Sequence, residues 1–109
     1  MTKEEVMMIG FEIVAYAGEA RSKLLMAIKA AENSEFDKAE VLTKEAEEVL
    51  LDAHAQQTEM IQKEASGEEN EIGFIMVHAQ DHLMGAMLLK DLTNHFIKLY
   101  KKSNEYIGV

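Results

Sequence analysis

The sequence predicts an all-α protein, an antiparallel up-down-up bundle of three helices that associates with copies of itself. Apolar residues recur at steps of three and four over three long segments, and only two short breaks separate those segments. The last segment is apolar on almost every side, and two partner helices cover only part of such a surface. At 109 residues without proline, the chain is expected to form one domain over residues 1–109.

The first predicted helix runs from about Thr2 to Glu32, where the apolar periodicity stops. Asn33 and Ser34 mark this break, and Asp37 follows Ser34 at the spacing of a capping box. In such a box the serine hydroxyl accepts hydrogen bonds from free N–H groups in the first turn of the next helix. We therefore expect Ser34 to begin the second helix.

The second predicted helix spans about Glu35 to Ala65 and the third about Glu69 to Lys102. Ser66-Gly67 separates them, and glycine is the usual residue just past a helix C-terminus. Acidic residues precede the third helix and lysines crowd its far end, as the helix dipole favours. Short breaks of this kind place neighbouring helices antiparallel, which disfavours a single long coiled coil.

Composition excludes several classes of partner. The formal charge of -9 disfavours nucleic acid and anionic lipid surfaces, both of which attract clusters of Lys and Arg. No apolar stretch reaches the roughly 18 residues that a membrane span needs, and four glutamates interrupt the apolar runs near the N-terminus. There is no cysteine, which fits a reducing compartment. We expect a cytoplasmic protein.

One polar island, His78-Ala-Gln-Asp-His82, interrupts the apolar third helix. His78, Asp81 and His82 stand at i, i+3 and i+4, so they lie on neighbouring parts of one face. Gln80 lies about 200° from His78 around the helix. An ionisable cluster in apolar surroundings is costly unless it is paired, bound to a metal or functional. This island is therefore the candidate functional site.

A metal site is the first interpretation of the island. His78 and His82 have the spacing of a zinc-binding pair, but a third ligand is needed. His95 lies about 220° around the helix from His82, and His54 would serve only if the second helix brought it close. A di-iron bundle would need Glu-x-x-His pairs on two helices, and the sequence contains none.

A nucleophilic histidine is the second interpretation, because a neutral imidazole attacks phosphorus and carries it as phosphohistidine. The chain has no glycine-rich phosphate loop, so a phosphoryl group would have to come from another protein. The third interpretation gives His78 and His82 a purely structural role as hydrogen-bonded histidines at an interface. The spacing of the residues leaves these last two interpretations open.

Three segments of the chain resemble one family. The motif His78-Ala-Gln-Asp-His-Leu-Met84 is similar to the active-site helix of the lactose/cellobiose-type IIA components of the bacterial sugar phosphotransferase system. The stretch from Gly10 to Leu25 resembles the opening of that family, and the stretch from Ala53 to Glu68 resembles the end of its second helix. The similarity covers about residues 4 to 102. The resemblance implies a three-helix bundle that forms a homotrimer.

The resemblance also implies roles for the island. His78 corresponds to the histidine that the family phosphorylates at Nε2. Asp81 corresponds to the acid that each subunit contributes to one shared metal on the threefold axis, taken as Mg²⁺. Gln80 and His82 match the motif in supporting positions. No nucleotide is implied.

The partners implied by the resemblance are proteins. HPr would supply the phosphoryl group, and a cysteine of the IIB component would accept it for uptake and phosphorylation of a β-disaccharide of the lactose, cellobiose or chitobiose type. The chain would meet the membrane only indirectly, through the IIC component. The competing hypothesis is a structural adaptor that forms a trimer and holds a metal without transferring a phosphoryl group.

Overall fold

Three long helices make up the part of the chain that the structure, a computed structural model, describes, which is residues 1–106. Helix α1 spans Lys3–Glu32, α2 spans Phe36–Ala65 and α3 spans Phe74–Tyr106. These residues include no strand, and the prediction of an all-α three-helix fold is confirmed. Residues 107–109, the end of the predicted domain, lie outside the described residues.

Contacts at the two ends of the bundle fix the direction of the helices. The N-terminal ammonium of Met1 contacts Glu68 Oε1 at 3.3 Å, just before α3. At the opposite end Asn104 Nδ2 donates to Ser34 Oγ at 2.6 Å, just after α1. Helices α1 and α3 therefore run parallel and α2 runs antiparallel to both, as the up-down-up prediction requires.

A capping box begins α1, although the sequence was not expected to form one there. The Glu5 N–H donates to Thr2 Oγ1 at 3.1 Å, and the Thr2 N–H donates to Glu5 Oε1 at 3.2 Å. The two bonds satisfy amide groups that the first turn of a helix leaves free. The bond from the Thr2 backbone holds the pKa of Glu5 below its usual value, because it favours the carboxylate.

The predicted capping box at Ser34 is wrong. Residue Glu35 precedes the first turn of α2, and no side chain caps that turn. Ser34 instead lies in the left-handed region, with φ of 62°, and closes α1. The Glu35 N–H donates to Ala30 O at 2.9 Å and the Ser34 N–H donates to Ala31 O at 3.0 Å. This bond pair is the Schellman motif, so the break serves the helix before it.

The predicted end of α2 is confirmed. Gly67 has φ of 97°, its N–H donates to Glu64 O at 3.0 Å, and the Glu68 N–H donates to Lys63 O at 3.0 Å. These two bonds again form a Schellman motif, here with glycine in the left-handed position. The α1–α2 link and the α2–α3 link therefore both begin with a Schellman motif.

Helix α3 starts at Phe74, five residues after the predicted start at Glu69. The carbonyl of Gly73 accepts the first N–H groups of the helix, from Met76 at 3.2 Å and from Val77 at 3.4 Å. The acidic residues before it do not enter the first turn. Glu71 lies 3.7 Å from Lys3 Nζ and Glu68 contacts the chain N-terminus, so both face α1. These two carboxylates therefore pair with groups at the start of α1, and not with the N-terminal end of the α3 dipole as predicted.

The core lies along α1, which packs extensively on both other helices, whereas α2 and α3 contact each other much less. Many of the buried positions are alanines, which let the helix backbones come close. Gly10 shows the closest approach, since a Cβ placed there would lie 3.4 Å from the backbone of Met76. The main buried cluster comprises Ile13, Ala17, Ala20, Leu24, Ala46, Leu50, Ala53, Ala79, Leu83 and Ala86.

A second apolar surface of α3 faces solvent and is called here the outer stripe. Its members lie on the opposite side of α3 from the buried residues, and each is at least 39% exposed. They are Phe74, Val77, Met84, Leu88, Leu92, Phe96 and Leu99. A helix that is buried on one face and apolar on the opposite face is typical of an association surface. The stripe extends along nearly all of α3.

Candidate functional site

His78 lies in the second turn of α3 with its side chain exposed. Because the chain is helical here, His82 lies one turn further along on the same side. The two rings meet edge to face, with their centroids 4.3 Å apart and their planes at 73°. The structure thus brings the two predicted histidines together and leaves the first of them open to solvent.

Asp81 is exposed and lies in the middle of the outer stripe. At about 100° per residue, its direction from the helix axis falls between those of Leu88 and Leu92, about 20° from each. Asp81 makes no ion pair within 4 Å among residues 1–106. A single carboxylate therefore projects from an apolar surface without an ion-pair partner among residues 1–106.

Gln80 points away from His78, as its position on the helix predicts, and bridges α3 to α2. Its Oε1 accepts from Gln57 Nε2 at 2.7 Å. Its Nε2 contacts Met76 Sδ at 3.3 Å. The Gln57 amide also approaches Met84 Sδ at 3.6 Å. Within one subunit, Gln80 is therefore part of the α2–α3 contact that lies beneath the site.

Gln57 is the member of this site that sequence reasoning missed. It lies on α2, more than 20 residues before the island, and only the packing of α2 on α3 brings the two amides together. No spacing rule within α3 points to it. The only hint in the sequence was that a long polar residue occupies this position of α2.

A groove of about 470 Å³ runs between α1 and α3 beside the histidine pair. Helix α3 contributes Asp81, His82 and Gly85, and α1 contributes Arg21 and Leu25. Gly85 leaves this side open, since a Cβ placed there would meet no atom within 4 Å. The groove joins the candidate site to the surface of α1.

The described residues of one subunit bring no three metal-ligating side chains of the His, Asp or Glu type together. His54 and His95 are exposed on other parts of α2 and α3. The same described residues contain no helix that is long and apolar enough to cross a membrane.

Comparison with known proteins finds one family over most of the chain. The family model described as "PTS system, Lactose/Cellobiose specific IIA subunit" matches residues 8–101. The lactose-specific EIIA component of Staphylococcus epidermidis is 56% identical over 104 residues, covering 95% of this chain and all of that protein. The family match contains the start of α3 and the four predicted site residues, which are His78, Gln80, Asp81 and His82.

Two solved structures share the fold. The cellobiose-specific enzyme IIA of Bacillus anthracis superposes with a TM-score of 0.88 at 41% identity, covering 96% of this chain and 94% of that one. The IIA protein of the chitobiose IIA–HPr complex from the Escherichia coli phosphotransferase system gives a TM-score of 0.73 at 31% identity, covering 95% and 98%. The chain therefore belongs to the lactose/cellobiose-specific IIA family and is a component of the sugar phosphotransferase system.

Proposed function

We propose that this chain is a phosphocarrier that accepts a phosphoryl group from HPr on His78 and passes it to the IIB component. The exposed imidazole of His78 carries the proposal, because a transferable group must be reachable by two proteins in turn. Family membership supports it, and so does the HPr complex formed by the related chitobiose IIA protein. The sugar would be a β-disaccharide of the lactose, cellobiose or chitobiose type.

Each transfer exchanges one bond to phosphorus for another. The lone pair of His78 Nε2 attacks phosphorus, the bond between phosphorus and the HPr histidine breaks, and its electron pair returns to that imidazole. In the second transfer a cysteine thiolate of IIB attacks, and the electron pair returns to His78. The protein contributes position and charge stabilisation, which dominate phosphoryl transfer. The transfers need no nucleotide, and the membrane is reached only through IIC.

His82 supports this chemistry by fixing the ring of His78. The edge-to-face contact at 4.3 Å restricts rotation about the side-chain torsions and so restricts the direction of the nucleophilic nitrogen. Gln80 supports it from the other side of α3, because its bond to Gln57 ties the site helix to α2. We assign both residues positioning roles, since neither side chain is needed to form the new bond.

The working assembly in this proposal is a homotrimer with three copies of α3 at its centre. The outer stripe supplies the apolar surface that association would bury. Asp81 lies in the middle of that stripe, so the threefold axis would bring three carboxylates together at one level. Such charges repel strongly in a dry interface unless a cation or a proton compensates them.

A divalent cation fits this arrangement. Carboxylate oxygens are the ligands that Mg²⁺ prefers, and Asp81 has no competing partner among residues 1–106. One Asp81 from each subunit would hold one shared Mg²⁺ per trimer. When bound, the ion would supply positive charge that stabilises the assembly, whereas His78 carries the reaction.

A reconstituted relay tests the proposal. The chain is incubated with phosphoenolpyruvate, Enzyme I and HPr, and its intact mass is followed before and after IIB is added. We expect each subunit to gain the mass of one phosphoryl group and to lose it again to IIB. Omission of HPr is the control, and it should prevent the gain because HPr is the proposed phosphoryl donor.

The modified form is also tested by its chemical stability. Phosphorus bound to nitrogen is labile in acid and stable in alkali, unlike phosphorus bound to a hydroxyl group. An adaptor without a relay would gain no mass under any of these conditions, and that result would contradict the proposal. A metal-dependent hydrolase would instead retain stoichiometric zinc.

A further inference from the structure

The groove between α1 and α3 contains one cationic side chain, that of Arg21. Arg21 projects from α1 into the same groove as Asp81, His82 and Gly85. The ring of His82, which lines the groove, is 4.3 Å from the ring of His78. Arg21 therefore shares a groove with His82, the residue whose ring contacts the proposed nucleophile, and lies at the edge of the candidate site.

Arg21 is the only arginine in the chain, and its side chain is exposed. It forms no ion pair within 4 Å among residues 1–106, although the chain is rich in carboxylates. Lys23, two residues further along α1, does form an ion pair. Its Nζ donates to Glu45 Oε2 at 2.9 Å and so links α1 to α2. That bond raises the pKa of Lys23. Arg21 faces α3 and makes no such bond.

A phosphoryl group on His78 would add negative charge beside the groove, where it needs a compensating positive charge. It adds up to about two negative charges at neutral pH to a chain whose formal charge is already -9. Asp81 is a further negative charge on the same part of α3. A guanidinium group offers a planar pair of N–H donors that matches two phosphoryl oxygens. Of the side chains that line the groove, only Arg21 has this chemistry.

We propose that Arg21 is the residue that holds the phosphoryl group while His78 carries it. The proposal rests on the phosphocarrier function and deepens it. Arg21 forms and breaks no covalent bond and transfers no proton. Its guanidinium swings from the groove past His82 and donates to two phosphoryl oxygens, which lowers the free energy of the phosphorylated state and of the transfer. Arg21 is thus a positioning and charge-stabilising residue for both transfers.

Three variants test this role. Arg21→Gln removes the charge and the paired donors, Arg21→Lys keeps the charge alone, and Lys98→Gln is the charge-matched control about 30 Å further along α3. Rates of phosphoryl uptake from HPr are measured under single-turnover conditions, together with the dissociation constant for HPr. Circular dichroism establishes that all three variants keep the helix content of the wild type.

We expect Arg21→Gln to slow uptake by about tenfold or more, the effect of losing one charge-assisted hydrogen bond to the transferred group. Arg21→Lys should recover part of the rate, and Lys98→Gln should match the wild type. A ³¹P NMR titration gives a second readout. Loss of the guanidinium should raise the second pKa of the phosphoryl group, because the dianion loses its counter-charge.

Equal rates and equal phosphoryl pKa values in Arg21→Gln and Lys98→Gln would overturn the assignment. A slower rate with an unchanged phosphoryl pKa would overturn it as well, because Arg21 would then act on HPr rather than on the phosphoryl group. Failure of the proposed function looks different, since the wild-type chain would then take up no phosphoryl group at all, and the role of Arg21 would fall with it.

Discussion

Asp81 is a carboxylate in the middle of an apolar surface, and it forms no ion pair within 4 Å among residues 1–106. In water this position would be unremarkable, but an assembly that buries the outer stripe would bring three such charges close. Two unit charges about 4 Å apart at an effective dielectric constant of about 20 repel by about 4 kcal/mol. The shared-cation proposal follows from this repulsion, and it is testable at a single residue.

Asp81→Asn should weaken Mg²⁺ binding and spare the trimer, because three neutral amides no longer need a cation. Asp81→Lys should break the trimer, since three ammonium groups would converge without a counter-charge. Isothermal titration with Mg²⁺ measures the first effect and sedimentation equilibrium measures the second. A trimer that survives Asp81→Lys unchanged would place Asp81 away from any threefold axis.

The sequence predicted the island well and its surroundings poorly. The face shared by His78, Asp81 and His82 follows from helical spacing alone, and the structure has them on one side of α3. The bond from Gln57 to Gln80 and the approach of Arg21 depend on how α2 and α1 pack on α3. Side-chain contacts between distant segments have no local signal, so a single sequence did not reveal them.

At the scale of the helices, the link between α1 and α2 shows how backbone conformation overrides side-chain preference. Ser34 has the composition and spacing of an N-cap, yet it takes the left-handed position that ends α1. The Schellman bonds at that position satisfy carbonyl groups of α1, and the Ser34 side chain does not cap α2. The bounds of α1 and α2 were nevertheless predictable, because the apolar periodicity continues up to each break.

The start of α3 was not predictable from the same rules. Glu68 and Glu71 suit the first turn of a helix, but α1 begins beside them and offers an ammonium group and Lys3. In the structure these carboxylates pair with that segment and do not enter the first turn of α3. The sequence pattern within the link carries no information about that segment.

Two glycine substitutions test the account of helix ends, because an added Cβ meets no atom within 4 Å at either site. Gly67→Ala should lower the free energy of unfolding by about 1 kcal/mol, since an L-residue is strained at a φ of 97°. Gly18→Ala, inside α1, should raise it by about 0.5 to 1 kcal/mol, since alanine favours the helix.

Urea unfolding at one fixed protein concentration measures both changes, which keeps any effect of association constant. The essential result is that the two substitutions change the free energy of unfolding in opposite directions. A stabilising Gly67→Ala would mean that the link has no left-handed residue at this position.

At the scale of the whole molecule, the separation of the two apolar surfaces of α3 is the main feature. One surface joins α1 and α2 in the core, and the outer stripe remains exposed in one subunit. In the proposed trimer, other copies of the chain would cover that stripe. A long bundle of 59 × 21 × 18 Å has little interior. Covering the outer stripe would therefore add much to the apolar area that the chain buries. Association and folding should therefore be coupled.

Leu88→Glu, in the outer stripe, should convert the trimer to monomers at micromolar concentration while the helix content stays high. Leu51→Glu is the matched control, because Leu51 is 68% exposed on α2 and lies outside the stripe. Sedimentation equilibrium should show the control as a trimer. A trimeric Leu88→Glu variant, or a monomeric wild type, would contradict the proposed assembly.

The most direct test of the account is the phosphorylation of His78→Ala by HPr, followed by intact mass. We expect no phosphoryl group on this variant although its trimer and helix content remain intact, because alanine has no nucleophile. His82→Ala should take up one group per subunit at a reduced rate, and His54→Ala and His95→Ala should match the wild type. If His78→Ala gains one phosphoryl group per subunit at the normal rate, the mechanism proposed for this protein is wrong.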